Sequence, residues 1–294
     1  MKDQKRAYIF ALIAVFFWST VAVAFKLTLA ALHHDQIQML FLASVSSLFI
    51  LFTAIIFQKK LHLFKSLTFK DYLFSAFLGS LNPFFYYLIL FKAYDLLPAQ
   101  EAQPLNFTWS IMLVLLSIPI LKQKISWKSF AAILISFFGV YVISSHGDIT
   151  SFKFSNPLGV ALALSTATIW ALFWIYNAKD DKDEAVRLFL NFLFGSVYIT
   201  VTVLIFSDIS SISFKGLIGG TYIGFFEMGL TFLLWSKALK LSVTTAKVSN
   251  LIFLAPFLSL VLIHFIVPNE DVLLSTFVGL IFIVAGILLQ RKLK

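Results

Sequence analysis

Cysteine is absent from the chain, which excludes disulfides, thiolate nucleophiles and cysteine-based metal sites. Charge is scarce as well. Asp, Glu, Lys and Arg make up 13% of the 294 residues against 60% hydrophobic ones, and at a mean hydropathy of +0.93 there are too few polar side chains to cover a soluble globule. No GxxxxGK[ST] phosphate-binding loop occurs, so an ATP-driven pump is not expected. The histidines are scattered, with only His33 and His34 adjacent, and that pair reads as an interfacial loop. No metal or cofactor is expected. Nor is there a polar stretch long enough for a soluble domain, since the widest gap between apolar runs, Gln58 to Asp71, is a short basic loop.

What is present is a series of apolar runs of about 20 residues, the length that crosses a bilayer. Ten segments qualify: 8–31, 37–57, 72–92, 98–121, 128–145, 157–177, 185–206, 216–236, 243–267 and 272–290. The first follows MKDQKR, is too long for a signal-peptide core and lacks a small-residue cleavage site, so it is expected to be retained. The net charge of +9 comes from basic residues spread through the gaps, an arrangement that speaks for membrane topology and against a nucleic-acid partner. With the N-terminus inside, 19 of the 23 Lys and Arg fall on the cytoplasmic side, and both termini are expected there. The expected fold is therefore an all-α integral membrane protein with ten transmembrane helices.

The chain also repeats itself. A shift of 145 residues superposes Phe69-Lys70 on Phe214-Lys215, Gly79 on Gly224, and Lys92-Ala93 on Lys237-Ala238. FWST at Phe17 to Thr20 faces IWAL at Ile169 to Leu172, and Gly139 faces Gly286 after a two-residue slip. Two five-helix repeats, 1–146 and 157–294, follow. Because five is odd, the second must enter the membrane inverted, an arrangement characteristic of carriers with a substrate site near the midplane.

The polar residues within the apolar runs are the candidates for that site. The stretch KAYDLLPAQEAQPLNFTW, Lys92 to Trp109, and its repeat mate Lys237 to Pro256 bring charges, amides and prolines into apolar surroundings. Asn82 and Glu227 are mates at the same 145 shift, and each lies some ten residues into a span, near mid-bilayer at about 1.5 Å per residue. An ionisable group at that depth normally faces a cavity or a partner. Gly220, Gly224, Thr231 and Trp235 share the Glu227 face and would leave room beside the carboxyl, and Tyr86 shares the Asn82 face. Gln103, Asn106, Ser110 and Ser117 form one stripe, with Pro104 freeing the carbonyl of Gln100. On span nine Asn250, Phe257 and His264 share a face, and Pro256 frees the carbonyl of Ile252. Trp170, Trp174 and Asn177 do so on span six. Helix-to-helix hydrogen bonding would produce similar stripes. Lys26 in span one and Glu101 early in span four lie near interfaces and, with Glu227, are candidates for coupling or gating.

FWSTVAVAFK in span one, IWALFWIYNAK in span six, the two turns above, APFLSL with Glu270 after it, and the closing helices FFGVYVISS and GLIFIVAGILL together resemble the EamA-type families of the drug/metabolite transporter superfamily. The resemblance covers nearly the whole chain and implies ten helices in two inverted halves. EAQPLNFTWS followed by KQKISW is most similar to the aromatic amino-acid exporters, which places Glu101, Asn106, Phe107 and Trp109 in corresponding positions. The chain departs from those exporters at Asn82, where they carry a tyrosine, and at Ser19, where many relatives carry glycine.

The expectation is a carrier of the bacterial cytoplasmic membrane that moves small organic metabolites outward by alternating access, with amino acids, aromatic ones included, as the leading class. Its cavity would be lined by Asn82, Tyr86, Gln103, Asn106, Trp109, Trp170, Glu227 and Asn250. Its partners are the small-molecule substrate and the lipid bilayer, and a monomer suffices. Two alternatives are a membrane-embedded lipid-modifying enzyme, for which His33-His34-Asp35 is the nearest cluster, and a non-transporting accessory subunit.

Overall fold

Short polar side chains set where the helices begin. Asp3 accepts from the Arg6 N–H at the start of α1 (Gln4–Ala31), and Asp35 accepts from the Ile37 and Gln38 N–H groups, both at 2.9 Å, at the start of α2 (Gln36–Phe57). Thr68 and Asp71 form a reciprocal capping box on α3 (Phe69–Gly79). Asp183 caps α9 (Glu184–Phe206) and Ser213 caps α10 (Phe214–Ile223). Between them run α4 (Tyr86–Leu96), α5 (Ala99–Asn106), α6 (Trp109–Leu121), α7 (Trp127–Ser144) and α8 (Pro157–Ala178). After α10 come α11 (Leu230–Leu241), α12 (Leu254–Ile266) and α13 (Leu274–Lys292).

The structure, a computed structural model, describes residues 3–121, 127–150, 156–178, 180, 182–242, 250–267 and 271–292. Every regular element among them is helical. Among the described residues, six helical runs are long and apolar enough to cross a membrane: Gln4–Ala31, Gln36–Phe57, Phe69–Leu96, Pro157–Asn177, Glu184–Phe206 and Phe214–Ala238. Shorter apolar helices cover Ala131–Ile143, Leu254–Ile266 and Leu274–Leu289. Phe57, Phe206 and Phe265 remain exposed, as a lipid-facing surface requires. The expected span 98–121 is not one helix: it breaks at Phe107 and Thr108 into α5 and α6.

The chain forms two compact units that do not coincide with its sequence halves. One comprises Met1–Leu88 and Asp180–Leu262, the other Ile89–Lys179 and Ile263–Lys294. In the first, α1 packs on α10 and α11, α2 on α9 and α10, and α3 on α9. Missing side chains permit this closeness. A Cβ on Gly79 would strike the Asn191 carbonyl, and one on Gly195 would strike the Pro83 ring. In the second, α5 and α6 pack on α8, and α7 lies along α13 with backbones nearly touching: a Cβ on Gly139 would come within 2.8 Å of the Ile283 nitrogen, and one on Gly286 within 2.8 Å of the Ser136 nitrogen.

At one end of the first unit, Lys60 pairs with Asp183 at 2.9 Å. Burial acts to raise the Asp183 carboxyl, but Lys60 and the Ala185 and Val186 N–H groups outweigh it and hold the carboxyl below its ordinary value of 3.8. A lowered folded value means that the stabilisation is present above the ordinary carboxyl range and is lost as pH falls through the folded value. Amide-exchange protection at Ala185 and Val186 is therefore expected to fall as the pH drops below the ordinary carboxyl value of 3.8, and Asp183→Asn to flatten that dependence. Protection that stays level across this window in the native chain would rule the tie out.

Candidate substrate-binding site

Two irregular turns dominate the first unit. Between α3 and α4, residues Ser80–Phe85 form a π-helical turn closed by the Tyr86 N–H bonding to the Leu81 carbonyl, and within it Asn82 leaves helical geometry altogether, at φ −147° and ψ 119°. Pro83 contributes no N–H there. Between α10 and α11, Gly224–Gly229 forms a second π-helical turn closed by the Leu230 N–H on the Phe225 carbonyl, and the Thr231 hydroxyl caps it by donating to the Phe226 carbonyl. Asn82 and Glu227, the mates at the 145 shift, thus each sit inside a π turn, a deviation that clusters at functional sites.

The two residues share a further property. Asn82 is fully buried, and among the described residues neither atom of its amide group has a hydrogen-bond partner. Glu227 is 5% exposed; its Oε1 accepts from the Tyr87 hydroxyl at 3.1 Å, and its Oε2 has no partner. An unpaired buried polar group costs about 1–3 kcal/mol. The Ser196 hydroxyl, beside the Gly195 that packs on Pro83, is buried and unpaired too. Along α11 and α1, Trp18 meets Trp235 edge to face at 5.2 Å and Phe232 at 6.4 Å.

Tyr87, not Tyr86, is the residue that reaches Glu227. Regular helical spacing puts Tyr86 four residues on from Asn82, but the π turn inserts an extra residue, so the fifth takes that direction. Tyr86 is buried and packs edge to face on Tyr87 at 4.7 Å. The expected room beside Glu227 is also corrected. The space over Gly220 is taken by Leu42, and that over Gly224 by Ala43 and Ser46 of α2, so these glycines serve helix packing.

In the second unit, Asn106 donates to the Thr166 hydroxyl at 2.9 Å, and Gln103 is buried on the same short helix. The stripe does not continue along one helix, since α5 ends at Asn106; the side chains of Ser110 and Ser117 lie outside the described residues. Trp109 opens α6 and is half-buried. Trp170 is buried against Trp174 at 5.9 Å, whereas Asn177 turns back to the Phe173 carbonyl of its own helix. Glu101, expected near an interface, is fully buried and hydrogen-bonded to His146 Nε2 at 2.5 Å. Sequence reasoning missed His146, Tyr87 and Thr166.

Lys26 is half-buried on α1. The Asn250 side chain lies outside the described residues, as do residues 243–249 of the turn from Lys237 to Pro256. Pro256 falls in the first turn of α12, where proline disturbs no mid-helix bond, and His264 is exposed. Asp35 of the His33-His34-Asp35 cluster is engaged in capping α2 and in accepting from Ser207 at 2.5 Å, which leaves it poorly placed for chemistry on a lipid.

The model of the EamA-like transporter family matches twice, at residues 5–145 and 157–291. The chain is 30% identical over 208 residues to an uncharacterised transporter encoded in the sor 3′ region of Acidianus ambivalens, covering 69% of this chain and 79% of that protein. It is 24% identical over 290 residues to an uncharacterised transporter of Clostridium kluyveri, covering 96% of this chain and 92% of that one. A solved crystal structure is similar over 99% of this chain and 100% of its own, with a TM-score of 0.66 at 18% identity, a likeness that shows the fold. The chain belongs to the EamA-like transporter family and is a multi-pass membrane transporter of small molecules.

Proposed function

We propose that the protein is a secondary transporter that exports amino acids, aromatic ones included, across the bacterial cytoplasmic membrane by alternating access. The observation that carries this reading is the pair of buried, unsatisfied polar side chains in the π turns, Asn82 and Glu227. A packed membrane interior gains nothing from leaving such groups unpaired. A solute that satisfies them in transit accounts for their place. Trp18, Trp235 and Phe232, in the same unit as Asn82 and Glu227, supply aromatic surface for an apolar side chain. In this reading the shorter helices complete ten crossings, residues 1–146 and 157–294 are inverted five-helix repeats, and both termini are cytoplasmic.

The test is uptake of labelled phenylalanine, tyrosine and tryptophan into proteoliposomes holding the purified protein, with and without a pH gradient. Saturable uptake above that of empty liposomes is expected. Folded protein that moves none of the three removes the aromatic amino acids as substrates.

A further inference from the structure

We propose that Glu227, held by Tyr87, is the seat of an ammonium group, so that the carrier selects its solutes by their amine and accepts amines that carry no carboxylate. The proposal deepens the reading of the chain as an amino-acid carrier and rests on it.

The Tyr87 hydroxyl satisfies Glu227 Oε1 without supplying any positive charge. Oε2 stays buried and unpartnered. The ion pairs of the described residues engage Asp3, Asp71, Asp95, Asp183 and Glu101, and none of them reaches Glu227. A buried carboxylate without a counter-charge is strongly unfavourable, and a solute cation is the partner that relieves it. An ammonium brings three donors and no acceptor. Glu227 Oε2 is a buried acceptor that no protein donor among the described residues occupies. An anionic head group at the same place would set like charges together in a low-dielectric interior. Tyr87 acts as a positioning residue: it fixes one oxygen and leaves the other to the solute.

The test uses matched amines and acids with the same apolar body, phenethylamine against 3-phenylpropionate and butylamine against valerate, titrated onto the purified protein in nanodiscs with thermal melting as the readout. Amines are expected to raise the melting temperature saturably and the acids to leave it unchanged. In Glu227→Gln, shown to be helical by circular dichroism, amine affinity is expected to fall at least tenfold. Tyr87→Phe is expected to bind amines more weakly than the native chain yet keep its preference for amine over acid. Binding of acids as well as amines, binding of no amine, or unchanged amine affinity in Glu227→Gln would overturn the proposal. Phenylalanine uptake by the same purified protein in proteoliposomes separates the two readings: uptake without amine binding removes the ammonium seat alone, and amine binding without uptake of any amine or amino acid removes the carrier reading alone.

Discussion

Glu227→Gln is expected to slow transport by roughly 10- to 150-fold, the equivalent of about 1.5–3 kcal/mol for a lost hydrogen bond to a charged group, and to abolish the response of transport to a pH gradient. The substitution keeps the shape of the side chain and an oxygen that can still accept from Tyr87 at the Oε1 position. It removes only the charge and the site where a proton can be carried. The π turn from Gly224 to Gly229 is closed by backbone and by Thr231, so it persists in the variant and the loss reports on function. The measurement is initial uptake into proteoliposomes under opposite pH gradients, native chain and variant side by side. A variant that kept the full pH dependence would place coupling elsewhere, and the buried Glu101 with its His146 partner would become the next group to examine.

Gly139→Val is expected to destabilise the second unit by roughly 1–3 kcal/mol, the usual cost of forcing bulk into a filled interior. Gly139 on α7 lies against Gly279 and Ile283 of α13, and Gly286 of α13 lies against Ala132 and Ser136 of α7. A Cβ at Gly139 would stand 2.9 Å from the Ile283 side chain and 2.8 Å from its nitrogen, and the second obstacle is backbone, which no rotamer change relieves. The Ser136 hydroxyl donates to the Ile283 carbonyl at 3.1 Å across the same seam, so separating the helices also breaks a buried hydrogen bond. Thermal melting of the purified variant checks this. A melting temperature equal to that of the native protein would mean that the seam can open without cost.

The membrane is legible in the sequence, since no arrangement of so few charges covers a soluble surface. The 145 shift singled out Asn82 and Glu227, and both sit in π turns. What stayed hidden has identifiable causes. Reading faces at 3.6 residues per turn selects Tyr86, and a π turn of extra length hands the contact to Tyr87. A glycine on a helix face looks the same in sequence whether it borders a cavity or admits another backbone, so Gly224 was misread. Glu101 on α5 and His146 in the turn after α7 lie 45 residues apart, and no local pattern links them.

The interleaving of the two units constrains how the protein is made. A ribosome delivers Met1–Leu88 first, yet the partners of that stretch, Asp180–Leu262, emerge only after Ile89–Lys179 has passed. During that interval α1, α2 and α3 must reside in the bilayer as separate spans. Lipid permits this because each helix satisfies its own backbone. Asn82 gains its surroundings late, when α9 arrives beside the π turn that holds it. Cutting the polypeptide between the two family-matched stretches yields fragments neither of which contains a whole unit.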